Sequence, residues 1–266
     1  MSAQTIPASL VQELRRETGA GMMECKRALV EADGDLEQAR RILRERGLAA
    51  ASKRAGRETT EGKVLAQVDD HAGAVVAVGC ETEPVSKNDE FLAFADKLLD
   101  AVFEQGPEGA AELEDERTEL VARIGENIAV VGAARFEAAE ENVLAAYIHP
   151  PAEKIGVLVR ANATPELARL LAMHISFANP RFVTRDEVPE DEIASEREIL
   201  EKAADLDGKP EHIREQIVEG RLAKGFFADT VLADQAWIHD PDRTVGQALA
   251  EHDAEVLDFV RYAVSG

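Results

Sequence analysis

The sequence predicts an α+β chain in which a small helical bundle precedes a two-subdomain core carrying a helical-hairpin insertion. Three observations lead there. Three short amphipathic helical patterns, separated by glycine-bearing turns, fill the N-terminal fifth of the chain. The order strand, strand, helix, strand then occurs twice. A long charged stretch delays the last strand of the second occurrence. At 266 residues, one small domain plus a larger one is the simplest organisation.

In the first pattern Ser9 is placed to cap a helix bearing Leu10, Val11 and Leu14, which stops at Thr18-Gly19. A second starts at about Gly21, with Met22, Cys25, Leu29 and Ala32 at spacings of three and four, and ends at Asp33-Gly34. Asp35 with Gln38 makes a capping box for a third, bearing Leu36, Ala39, Ile42 and Leu43, and Gly47 stops it. These helices make a bundle over residues 1–47. Residues 48–62, "LAAASKRAGRETTEG", mix small, basic and polar residues without a sustained apolar face and are expected to be a partly helical linker.

Residues 63–140 form the first core subdomain. "KVLAQV" and "AVVAVGC" flank a turn at 69–73 and predict a hairpin. Asn88 caps a helix with Phe91, Ala95, Leu98, Leu99 and Val102 on one face, a charged helix follows at about 111–125, and "IAVVGAARF" is a strand. Residues 141–266 form the second. "VLAAYIH" and "IGVLVRA" predict another hairpin, Thr164-Pro165 starts a helix bearing Leu167, Leu170, Leu171 and Ile175, and "AEVLDFVRYAV" is the final strand. Between them, at about 180–250, lies an insertion with two helices joined at Asp207-Gly208-Lys209-Pro210, a form suited to projecting from a core.

Charge and composition exclude several function classes. With 52 acidic against 30 basic residues the net charge is -22, which repels phosphate backbones and anionic membrane surfaces, so neither nucleic acid nor a membrane is an expected partner. Aromatic residues make up 5% of the chain, which disfavours stacking platforms for bases. Cys25 and Cys80 are far apart and suit a reducing compartment, read as the cytoplasm. The first ten residues lack the basic start and apolar stretch of a signal peptide, and no apolar run reaches transmembrane length.

No catalytic constellation emerges. "TGAGMMECK" resembles a phosphate loop, but Glu24 stands at the third glycine of G-x-G-x-x-G and no strand precedes it. The six histidines show neither H-E-x-x-H nor ligand spacing with cysteine, so no metal or cofactor is expected and each has a structural or surface role. A G-x-S-x-G elbow is absent. Glu81, Glu83, Asp89 and Glu90 offer paired carboxylates for a hydrolase, yet in so acidic a chain a solvated acidic loop is the better reading. The balance moves from bond-making to binding, and no enzyme is expected. Met22 and Met23 point the same way: a stripe that buries Met22 with Cys25 and Leu29 leaves Met23 at its edge, where a flexible thioether suits docking.

"LRRETGAGMMECKRAL", "ADGDLEQARRILRERG", "FLAFADKLL", "IGENI", "KIGVLV", "VEGRL" and "TVGQALAEH", in that order, resemble the translation elongation factor Ts family over nearly the whole chain. The resemblance implies a guanine-nucleotide exchange factor for the GTPase elongation factor Tu, with an N-terminal module similar to a ubiquitin-associated (UBA) domain. It also implies roles for particular residues. Thr82, Glu83, Pro84 and Val85 match a Thr-Asp-Phe-Val loop that displaces the partner's magnesium, with glutamate in place of aspartate and proline in place of the phenylalanine wedge. Pro84 fixes its own φ and biases Glu83 toward an extended conformation, which implies a preset loop. Met22 and Met23 match a docking patch for a helix of the GTPase domain. His149, and Ile238 with His239, match contacts to the partner's third domain, His239 standing where methionine is common. The helical insertion resembles a dimerisation arm, and a C-terminal helix found in longer relatives is not expected here. The competing reading of the altered loop is an acidic scaffold that binds the GTPase without accelerating exchange.

Overall fold

The computed structural model describes residues 6–203 and 208–264, and it is an α+β protein. Its contacts divide it into two units, residues 1–65, 76–134 and 263–266 in one, 66–75 and 135–262 in the other.

In the first unit, α1 (Ala8–Thr18), α2 (Met22–Glu31) and α3 (Leu36–Arg54) close around Leu14, Cys25, Ala28, Leu29, Ala39 and Ile42. Gly19, at φ 68°, ends α1 in the left-handed conformation that glycine adopts without strain. Asp33 and Gly34, both at positive φ, turn the chain into α3, where the Asp35 carboxylate accepts the Gln38 N–H at 3.0 Å. Two details differ from the sequence reading. Pro7, not Ser9, precedes α1, because the helix begins one residue before that serine. Helix α3 runs through Gly47 to Arg54, so the first seven residues of the expected linker are helical and Gly47 is not a stop. A methyl group on Gly47 would lie 2.7 Å from the Ala122 Cβ; this glycine permits close packing and does not end a helix.

A hairpin of β1 (Glu61–Val68) and β2 (Ala72–Cys80) leads to the short α4 (Glu83–Ser86) and then to α5 (Asp89–Gln105). Strand β2, "AGAVVAVGC", is buried at every position and is the middle strand of a sheet ordered β1-β2-β3, with β3 at Ile128–Glu137. The Asn88 side chain caps α5 by accepting the Glu90 and Phe91 N–H groups, and Phe91, Ala95, Leu98, Leu99 and Val102 are buried as their spacing predicts. The charged helix is broken at Leu113 into α6 (Gly109–Glu112) and α7 (Glu114–Ile124). A Cβ on Gly109 would meet the Ala101 carbonyl at 2.5 Å, so α6 approaches the end of α5 at a glycine.

The second unit repeats the order. Strands β4 (Val143–Ile148) and β5 (Ile155–Asn162) pair antiparallel, with Tyr147 opposite Val157, and β8 (Glu255–Ala263) adds beside β5. Thr164 caps α8 (Pro165–Ala178) by accepting the Leu167 N–H. Leu171 and Ile175 are buried with Val157, Val159, Trp237 and Val245, while Leu170 is 37% exposed and lies off the buried face.

The insertion contains α9 (Glu190–Glu201) and α10 (Glu211–Arg221), held together by an Arg197–Glu219 ion pair. Gly208, Lys209 and Pro210 of the expected joint precede α10, and Asp207 lies outside the described residues. A π-helical turn (Leu222–Phe227) and α11 (Ala228–Thr230) follow, and Val188, Val218, Leu222, Phe227 and Val231 give this region its own small core. The chain continues through β6 (Ala236–Trp237), β7 (Asp240–Thr244) and α12 (Val245–Glu251) before β8.

Candidate functional site

The candidate residues fall into two groups, one in each unit. In the first unit, Met22 and Met23 start α2 and are 48% and 63% exposed. The stripe expected to bury Met22 begins instead at Cys25, so both methionines remain on the surface. The reason is phase. Cys25, Ala28, Leu29 and Ala32 complete an arc that satisfies the bundle core one turn after the helix start. Met23, Val30, Leu43 and Leu48 line a groove of about 950 Å³ between α2, α3 and α7. Seven basic and four acidic residues line the same groove, a local reversal of the chain's net charge of -22.

The segment Thr82-Glu83-Pro84-Val85 is a turn of helix and not an extended loop. Thr82 is the extended residue, at φ -131° and ψ 152°, and Glu83 is already helical, contrary to the expectation from Pro84. Proline is tolerated in a first helical turn because the N–H it lacks would have no partner there. The Thr82 carbonyl accepts the Val85 and Ser86 N–H groups at 3.1 and 3.3 Å, which holds Glu83 in the turn. Thr82, Glu83 and Pro84 are exposed, so the turn presents a carboxylate and a rigid apolar ring side by side. Glu83 pairs with Lys87 at 2.7 Å, and both side chains are more than three-fifths exposed. An exposed pair of this kind is screened by solvent and holds its side chains only weakly.

Two residues that the sequence reading did not single out fix the start of this turn. Glu126 accepts the Thr82 N–H at 3.0 Å and the Thr82 hydroxyl at 2.7 Å. Buried Asn127 donates its N–H to Glu81 at 2.6 Å and its side-chain amide to the Arg57 carbonyl at 2.8 Å. Arg57 also lies 3.3 Å from the Glu81 carboxylate, so Glu81, read from the sequence as part of a solvated acidic loop, belongs to a structural network.

In the second unit, His149 follows β4, is exposed, and its Nδ1 shares a hydrogen bond with the Tyr147 hydroxyl at 3.1 Å. Ile238 and His239 form the turn between β6 and β7. Buried His174 of α8 supports that turn. Gln235 donates its amide N–H groups to the Ala178 and Asp229 carbonyls, so its oxygen faces His174 Nε2 at 3.0 Å and must accept. Nδ1 is then free to accept the Ile238 N–H at 3.4 Å. This is a neutral imidazole, and burial pushes its pKa below the usual histidine value, against the raising effect of the Gln235 bond and with a smaller lowering from His239. The Trp237 ring lies 5.1 Å from His174 and 4.7 Å from His239, and His239 Nε2 donates to the Leu170 carbonyl at 3.3 Å. A lone histidine in the apolar run of α8 is the sequence signal for such a support, because a buried imidazole needs polar partners.

Among the described residues, no group of three or more histidine, cysteine or acidic side chains is arranged to hold a metal ion, and no helix is long and apolar enough to cross a membrane. Both cysteines are buried, and neither is in a disulfide.

The helical module with surface methionines, the repeated α+β core and the exposed Thr82–Val85 turn define a translation elongation factor when set beside known proteins. The sequence model described as elongation factor TS matches residues 81–266. Elongation factor Ts of Cronobacter sakazakii is 44% identical over 97% of this chain and 91% of its own length. That of Alkalilimnicola ehrlichii is 44% identical over 97% and 92%, and one from Escherichia coli is 42% identical over 97% and 91%. The chain belongs to the elongation factor Ts family.

Proposed function

We propose that this protein is a guanine-nucleotide exchange factor that binds elongation factor Tu in its GDP form, promotes GDP release and allows GTP to enter. The observation that carries the reading is the Thr82–Val85 turn: an exposed carboxylate and proline ring on a turn tied to a sheet. An exchange factor makes and breaks no bond. It binds the nucleotide-free GTPase more tightly than the GDP-bound form, and by linkage it weakens GDP as much as GDP weakens it. The differential interaction arises where the turn meets the magnesium and phosphate end of the nucleotide site. There Glu83 brings negative charge and Pro84 brings volume that does not yield.

Docking holds the turn in place. Met22 and Met23 meet a helix of the GTPase domain, and the basic lining beside Met23 favours a helix with an acidic flank. His149 and the Ile238-His239 turn meet the partner's third domain. The reaction takes place in the cytoplasm, without cofactor or metal of the factor's own. Self-association through the α9–α10 hairpin is a separate expectation, checked by sedimentation of the free chain.

Stopped-flow release of a fluorescent GDP analogue from elongation factor Tu tests the reading. Acceleration by orders of magnitude supports exchange, whereas a stable complex with an unaltered release rate leaves the scaffold reading in its place.

A further inference from the structure

A single turn of helix does not persist unaided, because the first hydrogen-bonded turn is the costly one to form. The turn at Glu83–Ser86 lacks the usual aid, since Thr82 at its N-cap makes no side-chain capping bond. The Thr82 hydroxyl is committed elsewhere. It and the Thr82 N–H both go to the Glu126 carboxylate, 44 residues away in sequence, at 2.7 and 3.0 Å. Next to this contact the direction is reversed: Glu81 accepts the N–H of Asn127 at 2.6 Å. Two adjacent residues after β2 and two adjacent residues before β3 therefore exchange side-chain to backbone bonds. Each bond is charge-assisted, the stronger class of hydrogen bond.

We infer that Glu126 is a positioning residue for nucleotide exchange, whose carboxylate holds Thr82 so that the Glu83-Pro84 turn is presented at a fixed angle and does not yield when it meets the GTPase. The inference rests on the exchange reading. Glu126 itself does not reach the nucleotide in this account. It converts a four-residue turn, which would otherwise bend away under load, into an extension of the β1-β2-β3 sheet. Pre-organisation of this kind acts on the displacement step and leaves docking through the methionines unaffected.

The test uses the full chain with Glu126→Gln, Thr82→Val and the double variant. Glutamine preserves shape but removes the charge and one of the two acceptor oxygens; valine removes only the hydroxyl. The readouts are the maximal GDP-release rate at saturating factor, the half-saturating concentration and the melting temperature. Glu126→Gln is expected to lower the maximal rate about tenfold, with half-saturation changed less than about twofold and melting unchanged. Thr82→Val is expected to give a smaller loss, and the double variant to be no worse than Glu126→Gln, because both remove one interaction. If the wild type accelerates release and Glu126→Gln matches it, the inference is wrong and the exchange reading stands. Equal losses in rate, half-saturation and melting would make Glu126 a merely structural residue and also overturn the inference. A wild-type chain that binds without accelerating release overturns the exchange reading, and the inference falls with it.

Discussion

Gly47 and Ala122 face each other so closely that a β-carbon on Gly47 would sit 2.7 Å from that of Ala122. Glycine inside a 19-residue helix is unfavourable by about 1 kcal/mol relative to alanine. Its presence in α3 is the condition for bringing that helix against α7.

Enlarging this position should therefore destabilise the first unit. Gly47→Leu cannot be absorbed by a side-chain rotation and is expected to cost about 1–3 kcal/mol, the range for overpacking. Gly47→Ala sets gained helix propensity against the clash, and adding Ala122→Gly should relieve the clash and recover stability. Thermal denaturation of the four proteins checks this; a Gly47→Leu chain as stable as the wild type would show that α3 and α7 separate freely.

The same pair explains what could be read from the sequence and what could not. Caps are local, so Asp35, Asn88 and Thr164 announced three helix starts that the structure keeps. Periodicity likewise identified the buried faces of α5 and α8, apart from Leu170. Gly47 looked like a stop because its reason lies 75 residues away, in Ala122. The burial expected for Met22 failed because a helical stripe has a phase that only the neighbouring helices set. At the candidate site, family resemblance pointed to Met22, Met23, Thr82, Glu83, Pro84 and His149, which the structure places at the surface. The partners of the supports, Glu126 beneath Thr82 and His174 beneath Ile238, could not be read, since each pair is joined by a long-range hydrogen bond; only the polar need of a histidine in the apolar run of α8 was visible.

Acid should weaken the support beneath the Ile238-His239 turn. The pKa of His174 is lowered in the folded chain by burial, so the unfolded state binds a proton first as pH falls. Stability contributed at this site is fully present above the ordinary histidine value of about 6.5 and is lost as pH falls through the lower folded value. Trp237, the one tryptophan in the sequence, lies 5.1 Å from His174 and reports on it. Urea denaturation followed by Trp237 fluorescence should show a midpoint that drops between pH 7.5 and 5.5 in the wild type and much less in His174→Gln. An identical drop in both would place the titrating group elsewhere.

Met22→Ala with Met23→Ala should weaken binding to the GTPase without harming the fold. Both side chains are largely exposed, so the free protein's stability should stay within about 0.5 kcal/mol. Burying one methionine at an interface contributes about 1.5–3 kcal/mol when complete. The pair should lose about ten- to a hundredfold in affinity, read by titration calorimetry, if each is partly covered. Unchanged affinity would remove α2 from the interface.

Pro84→Phe should preserve the turn, because phenylalanine restores an N–H and is compatible with helical φ and ψ. In the proposed complex, a larger ring adds apolar surface where the turn would meet the partner. About 1.4 kcal/mol of added burial corresponds to about a tenfold faster release, which is the ceiling expected if the native turn already performs part of the displacement. A gain well beyond tenfold would mean that the native proline is an impaired wedge; a loss would mean that the rigidity of Pro84 matters more than its size.

The Thr82–Val85 turn is proposed to accelerate nucleotide release by acting where magnesium and phosphate are held. The measurement that tests it most directly is the GDP dissociation rate from elongation factor Tu at saturating factor, in excess magnesium and again with magnesium chelated. Acceleration by orders of magnitude is expected in magnesium, and a much smaller factor once the ion is gone. A complex that forms while the rate in magnesium stays unchanged would contradict exchange, and an acceleration of equal size in both conditions would contradict the assignment of the turn to the magnesium end of the site.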